Sequence, residues 1–306
     1  MSKVTCAAII GTGTMGPGMG AVLARAGIEV RLYDVRAEAL DAARDGVELA
    51  DRVLDGLDAP SEPGGSIAFG SDLAEALDGC DFVIEAVPEN LEIKQQVFAD
   101  IESHVADDTV IASNTSGIPI SDIAAACSRP ERIVGMHWSN PPHLIPMIEV
   151  IPGGETGQGA VDTTNAVVER VGYRPVLIAK EVPGFVENRI LYAIMREALD
   201  LVDRGVISRA DMDACVKWGI GYKLAVIGPL ELLDVAGLDI YESVASYLNQ
   251  DLSNEAGVSS TITELTAQGK LGMKTDGGIY DYTPEKKQQL GGERAAKLVA
   301  VRKSLS

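Results

Sequence analysis

In the run His137-Trp-Ser-Asn140-Pro-Pro a histidine precedes a proline-containing turn, and Glu149 follows it by twelve residues. Segments on either side of such a turn can bring the imidazole and the carboxylate face to face. One ring nitrogen would then hydrogen-bond the carboxylate while the other points at a substrate oxygen, the arrangement of a general base. Alone the pair is weak, because a histidine and a glutamate near a turn are more often plain surface. A second signal strengthens it: Gly11-Thr-Gly13-Thr14-Met15-Gly16 is a G-x-G-x-x-G run. The first glycine permits a tight turn, the second lets a pyrophosphate approach the backbone, and the third lets a helix pack on a strand. The phosphates would sit at the helix N-terminus, where N–H groups and the positive dipole end favour an anion. Asp34, 23 residues past Gly11, would accept a hydrogen bond from a ribose 2′-hydroxyl and repel a 2′-phosphate, which predicts NAD rather than NADP.

These groups need a scaffold, and the apolar pattern supplies one. Val4 to Ile10 is a short apolar run ending at Gly11, as expected of a buried parallel strand. Gly16 to Ala26 reads as a helix with Pro17 in its first turn, and Ile28 to Tyr33 as a second strand ending at Asp34. Further strand-like runs are Phe82 to Ile84, Thr109 to Ala112, Arg132 to Met136, Met147 to Ile151 and Pro175 to Ala179. Helical stretches such as Leu91 to Val105 separate several of them, and Asp58 to Ser66 is a Pro/Gly/Ser-rich loop. Alternating strands and helices predict an α/β, doubly wound, mainly parallel sheet. After Val182-Pro-Gly the strand signal fades, and Phe185 to Asp203, Arg209 to Trp218, Pro229 to Asn249 and Ser260 to Ala267 carry helical spacing. The expected organisation is therefore a Rossmann-like nucleotide-binding domain over 1–182 followed by an all-helical domain over 183–306.

The 306 residues carry Lys+Arg 26 against Asp+Glu 45, a net charge of -19. With no basic run to offset it, such a surface argues against nucleic acid and anionic membranes as partners. Cys6, Cys80, Cys127 and Cys215 show no metal-ligand spacing, so no metal is expected, and they read as buried thiols of a reducing compartment. No apolar stretch approaches membrane-spanning length and no leader is visible, which leads us to expect a cytoplasmic protein. His104, in Ser-His-Val-Ala-Asp, reads as surface.

Three more segments fall into place beside the first two: Ser113-Asn-Thr-Ser116 after a strand, Val83-Ile-Glu-Ala-Val-Pro-Glu89-Asn, and Pro183-Gly-Phe-Val-Glu-Asn188-Arg189 near the domain boundary. Together with Gly135-Met-His-Trp-Ser-Asn-Pro, Ile148-Glu149-Val, Gly228-Pro-Leu-Glu-Leu-Leu-Asp234 and Gly278-Ile-Tyr-Asp-Tyr, they make the whole chain resemble the L-3-hydroxyacyl-CoA dehydrogenase family. The resemblance implies NAD-dependent hydride transfer with His137 as base in the oxidative direction and Glu149 holding its tautomer. It implies that Ser116 and Asn188 hydrogen-bond the reacting oxygen, with Asn140 in support, and that Glu89 and Lys94 lie near the nicotinamide ribose. For Lys94 a solvated helix charge is an equal alternative, and for Ser116 and Asn188 the plain readings are a turn residue and a helix cap. A homodimer built on the helical domain is also implied.

Two departures bear on the substrate. Arg36 to Ala86, where acyl-CoA members usually carry a lysine-rich helix, contains no lysine and is rich in acids from Asp41 to Glu62, a poor surface for a CoA phosphate tail. After the histidine stands Trp138-Ser139, and Pro146 occupies a position where acyl-CoA members often have lysine. Those phrases, with Trp218-Gly-Ile-Gly-Tyr-Lys-Leu, look like a branch of the family acting on a small carboxylated pyridine aldehyde in vitamin B6 degradation. There the hydrated aldehyde would replace the secondary alcohol and be oxidised to a carboxylate, and the same site could reduce the aldehyde, so that dismutation is feasible. Arg189 and Lys223 are candidate partners for the substrate carboxylate. Trp138 and Tyr222 are candidate ring contacts, core packing being the plainer reading of each. The alternatives are a 3-hydroxyacyl-CoA dehydrogenase, such as one for 3-hydroxybutyryl-CoA, and a non-catalytic structural member.

Overall fold

A computed structural model describes residues 3–305. It divides into two compact units, one through Asn188 and the other from Arg189 onward. The first unit is an eight-stranded sheet in the order β3-β2-β1-β4-β5-β6-β7-β8. Its strands are β1 (Cys6–Ile10), β2 (Glu29–Tyr33), β3 (Ser66–Gly70), β4 (Phe82–Glu85), β5 (Val110–Ser113), β6 (Ile133–Trp138), β7 (Met147–Pro152) and β8 (Arg174–Leu177). The helices between them are α1 (Gly16–Arg25), α2 (Ala37–Gly56), α3 (Leu73–Leu77), α4 (Leu91–Glu102), α5 (Ile120–Ala124) and α6 (Gln158–Arg170). The first six strands are parallel, β7 runs antiparallel to β6, and β8 is parallel to β7. This is the expected doubly wound α/β layer, with an antiparallel step at the chemically interesting turn.

Alternation along the strands divides the core. Ala7, Ile9, Val30, Leu32, Phe82, Ile84, Met136, Trp138 and Ile148 pack on one face with α1, α2 and α6. Cys6, Ala8, Ile10, Val83, Ile111, Ile133 and Ile151 pack on the other with α3, α4, α5 and Phe185. Successive strand residues point to opposite faces, so His137, between Met136 and Trp138, is turned toward the second face. The α2 helix buries Leu40, Ala43, Val47, Ala50 and Leu54 at helical spacing and leaves Asp41, Asp45, Glu48 and Asp55 exposed. Arg25 gathers the last turns of that helix by bonding Asp51 at 2.8 Å and Asp55 at 2.6 Å.

Sequence reasoning placed Ser66 at the end of a loop and missed β3. It is a five-residue edge strand in which Ile67 and Phe69 turn inward while Ser66 and Ala68 are exposed. Because the exposed Ala68 is itself apolar, the polar–apolar alternation is blurred in the sequence, and the run is only three apolar residues long between Ser66 and Gly70. The expectation that all four cysteines are buried holds for Cys6 and Cys80, whose Sγ atoms lie 3.0 Å apart, but Cys127 is half-buried and Cys215 is exposed. Cys215 sits on a helix whose only buried residue is Met212.

The second unit is helical. It contains most of α7 (Glu187–Asp203), then α8 (Arg209–Cys215), which runs through a wide turn over Val216–Gly221 into α9 (Tyr222–Leu224). It continues with α10 (Pro229–Ala236), α11 (Leu238–Asp251), α12 (Ser260–Ala267) and α13 (Pro284–Leu305). The single helix expected over Pro229 to Asn249 is broken at Gly237, whose φ of 97° ends α10 and starts α11. No helix among the described residues is long and apolar enough to cross a membrane.

Candidate active site

The register of the antiparallel pair β6–β7 sets His137 directly opposite Glu149. Directly opposed residues share a face and place their side chains within reach of each other. His137 Nδ1 and Glu149 Oε2 are 2.8 Å apart, with the two residues 6% and 1% exposed. The other oxygen, Glu149 Oε1, accepts the backbone N–H groups of Val186 and Glu187, each at 3.0 Å. Burial works against ionisation of Glu149, but the ring hydrogen bond and the two N–H groups outweigh it and hold the pKa below the ordinary carboxylate value. An ionised carboxylate only accepts, so Nδ1 is the donor of this pair, and in the neutral ring Nε2 keeps its lone pair. His137 therefore belongs to the strand rather than to the turn, and its ring is further fixed by Phe185 at a centroid distance of 5.8 Å.

Two other expected residues meet beside this dyad. Asn188 Nδ2 donates to the carbonyl of Ser116 at 2.9 Å, and the Ser116 N–H donates to Glu89 Oε1 at 2.9 Å. Ser116 is thus gripped through its backbone while its side chain stands at the surface. Glu89 Oε1 also accepts Thr115 Oγ1 at 2.6 Å. Lys94 is not the solvated helix charge that was one reading of it. Its side chain is 1% exposed, and its ammonium lies 2.7 Å from Glu85 Oε1 and 3.4 Å from Glu89 Oε2. Glu85, fully buried, accepts in addition the Ser113 hydroxyl at 2.6 Å and the Val87 N–H at 2.7 Å. The chain Lys94–Glu89–Ser116–Asn188 connects the ends of β4 and β5 to the residue that closes the first unit.

The glycine run shows how a dinucleotide is admitted. A Cβ on Gly11, whose φ is 108°, would lie 2.7 Å from the Ala86 carbonyl oxygen, and one on Gly16 would lie 2.5 Å from the Gly11 carbonyl oxygen. Those two glycines are demanded by backbone packing. A Cβ on Gly13 would meet nothing within 4 Å, so the second glycine keeps a cradle open, as a pyrophosphate requires. The N-cap of α1 has no side-chain partner, which leaves its first-turn N–H groups for an anion. Thr14 faces a cavity of about 570 Å³ together with Gly13, Arg36, Glu38 and Asn140, and half-buried Met15 packs against the core beneath. Asp34 accepts Thr12 N–H at 3.1 Å, Thr12 Oγ1 at 3.0 Å and Arg36 N–H at 3.1 Å. Burial raises its pKa, but these bonds and the Arg36 charge lower it further, so it stands ionised where a ribose hydroxyl would donate. The residues fit NAD.

Arg189 and Lys223 lie in the second unit, both exposed, Lys223 on α9. Trp138 is 2% exposed with its ring edge-on to Tyr173 at 5.8 Å, which makes it core. His104 is exposed, as expected. Sequence reasoning missed Ser139 and Glu187. The Ser139 hydroxyl donates to Glu187 Oε2, and a ring nitrogen of His137 and one carboxylate oxygen each of Glu149 and Glu187 lie within 4.8 Å of one another. Glu187 occupied an unassigned position inside Pro183-Gly-Phe-Val-Glu-Asn188, and no local pattern pairs it with Ser139, 48 residues away. Because His137 and Glu149 already face each other as donor and acceptor, we read this cluster as a proton network.

Comparison with known proteins identifies the family of the chain. Residues 6–182 match the family model described as 3-hydroxyacyl-CoA dehydrogenase, NAD binding domain, and residues 184–282 match its C-terminal domain. The chain is 54% identical over 300 residues to 5-formyl-3-hydroxy-2-methylpyridine 4-carboxylate 5-dehydrogenase of Mesorhizobium japonicum, covering 97% of each. It is 33% identical over 286 residues to the mitochondrial hydroxyacyl-coenzyme A dehydrogenase of Homo sapiens, covering 90% of each. A crystal structure of a 5-formyl-3-hydroxy-2-methylpyridine 4-carboxylic acid 5-dehydrogenase, described as an NAD+ dependent dismutase, superposes with a TM-score of 0.97 at 53% identity, covering 99% of this chain and 98% of that one.

Proposed function

The chain belongs to the 3-hydroxyacyl-CoA dehydrogenase family and is an NAD-dependent dehydrogenase, and from that premise we propose that it oxidises 5-formyl-3-hydroxy-2-methylpyridine-4-carboxylate, a step of vitamin B6 degradation, and also reduces it. The observation that carries the chemistry is the buried pair of His137 and Glu149, 2.8 Å apart with Nε2 left as acceptor. NAD, when bound, takes or returns the hydride. Nε2 of His137 removes the hydroxyl proton of the hydrated aldehyde, and Glu149 stabilises the imidazolium that forms. In the reductive direction the imidazolium returns that proton to the carbonyl oxygen.

Ser116 and Asn188, joined through the Ser116 carbonyl, line the side from which the substrate oxygen is held. Glu89 and Lys94 brace that segment beside the nicotinamide ribose. Arg189, Lys223 and Asn140 are the proposed contacts for the substrate, the two cations for its carboxylate. The acidic outer face of α2 and the 54% identity support a small carboxylated aldehyde over an acyl-CoA. We further propose a cytoplasmic homodimer. Among described residues of the second unit, Met212 is the one buried large apolar side chain, whereas Leu230, Val235, Leu238 and Tyr247 are all exposed, and a second copy would cover such surface.

Side-by-side steady-state assays with the pyridine aldehyde and with acetoacetyl-CoA test the substrate. The expected result is a higher kcat/KM on the aldehyde, with both dicarboxylate and hydroxymethyl products formed. A far higher kcat/KM on acetoacetyl-CoA would refute the proposal.

A further inference from the structure

Glu187 is a carboxylate set beside another carboxylate, and no Lys or Arg among the described residues forms an ion pair with it. One of its oxygens and one of Glu149 lie within the 4.8 Å cluster that includes the His137 ring. Like charges so placed cost stability, and sites that tolerate such a cost are where function is found. Among the described residues its side chain is bonded by Ser139, a 7% exposed residue just past the end of β6, two positions beyond His137. The two residues that sequence reasoning left without a role are therefore joined to each other and to the dyad.

Dehydrogenation of a secondary alcohol releases one proton from one hydroxyl, and a single base suffices. Oxidation of an aldehyde is different. Water adds to the carbonyl to give a gem-diol, the C–H bond breaks as hydride leaves for the cofactor, one hydroxyl becomes the new carbonyl, and the other ends as a carboxylate. The sum is aldehyde plus water giving carboxylate, one hydride and two protons. Reduction of the same aldehyde takes up one hydride and one proton. Nε2 of His137 handles one proton in either direction. Glu149 cannot take the second, because Oε1 accepts two backbone N–H groups and Oε2 accepts the ring.

We propose that Glu187, oriented by Ser139, is the catalytic acceptor of the second proton, taken from the water that hydrates the aldehyde or from the second hydroxyl of the gem-diol. The proposal rests on the aldehyde reading above. It assigns Glu187 to the oxidative half of the dismutation and leaves the reductive half to His137 and Glu149.

The test measures the two halves separately on the full-length enzyme, as dicarboxylate formed with NAD and hydroxymethyl product formed with NADH. Glu187→Gln keeps the size and the hydrogen-bonding oxygen but cannot accept a proton. It is expected to lower oxidative kcat by about 10² while reduction falls less than about tenfold. Ser139→Ala should tilt the ratio the same way by a smaller factor and stands in should Glu187→Gln fold poorly. Formate added to Glu187→Ala should restore oxidation and leave reduction unmoved, which a merely structural role would not produce. An equal fall in both halves, or no fall in oxidation, overturns the proposal. A wild-type enzyme that performs neither half on the aldehyde removes the substrate reading and this proposal with it.

Discussion

Replacing Glu149 with glutamine should disable His137 as a base without unfolding the protein, and the local bonding says why. Oε1 of Glu149 accepts two backbone N–H groups at 3.0 Å, while Oε2 faces His137 Nδ1 at 2.8 Å. In the glutamine variant the amide oxygen takes the Oε1 position, because the opposite placement would set NH₂ against two N–H donors. The amide NH₂ then points at Nδ1, which must accept, and the ring proton moves to Nε2. A ring protonated at Nε2 cannot take a proton from the substrate hydroxyl. The variant also loses the negative charge that stabilises the imidazolium in a site where Glu149 is 1% exposed. Loss of correct tautomer and charge together corresponds to about 10²–10⁴ in kcat, or about 3–5 kcal/mol of transition-state stabilisation. The assay is initial-rate NADH formation at saturating aldehyde and NAD, with thermal denaturation run alongside to show that the fold survives. A Glu149→Gln enzyme that keeps more than about a tenth of wild-type kcat would refute both the tautomer argument and the assignment of the base.

Removing the Lys94 ammonium by Lys94→Met leaves Glu85 buried without its cation, and stability should fall by about 3–5 kcal/mol in denaturant titration; adding Glu85→Gln should recover part of it. A Cβ on Gly18 would lie 2.7 Å from Pro142 Cγ and 2.9 Å from His143 Nδ1, so Gly18→Ala should push the turn after His137 and cost about 1–3 kcal/mol in the same measurement. Asp34→Ser should lower the preference for NAD over NADP, read as the ratio of kcat/KM values, by about tenfold or more, the weight of one charge-assisted hydrogen bond. The depressed pKa of Glu149 fixes a sign. Its ionised form contributes stability at and above the ordinary carboxylate value, and that contribution disappears as pH falls through the lower folded value. The melting-temperature difference between wild type and Glu149→Gln should accordingly be constant near neutral pH and shrink on acidification below about pH 4.5; a difference that grows with acid would contradict the sign.

Much of this was legible in the chain because the relevant signals are local. The fingerprint from Gly11 to Gly16 and the acid at Asp34 sit at offsets dictated by one strand–turn–helix–strand unit, and each glycine proves to have its own steric or open-space reason. The His137–Glu149 pair was legible because it spans a single antiparallel connection. The edge strand β3 and the break at Gly237 were not, since the apolar but exposed Ala68 masks the alternation of Ile67 and Phe69, and one glycine inside an apolar run does not announce a positive φ.

By itself the sequence determined the nucleotide-binding half, the helical half and the pairing of His137 with Glu149, because apolar periodicity and short-range spacing encode secondary structure and the groups it carries. Tertiary structure decided what surrounds the dyad. Only the β6–β7 register turns His137 and Glu149 to one face. Only the return of the chain at Val186 and Glu187 supplies the N–H groups that keep Glu149 ionised and sets Glu187 beside Ser139. Lys94, legible as either a cofactor contact or a surface charge, became a buried counter-ion because β4 and α4 fold its ammonium over Glu85. Contacts between residues distant in sequence depend on how whole elements pack, and no spacing along the chain records them.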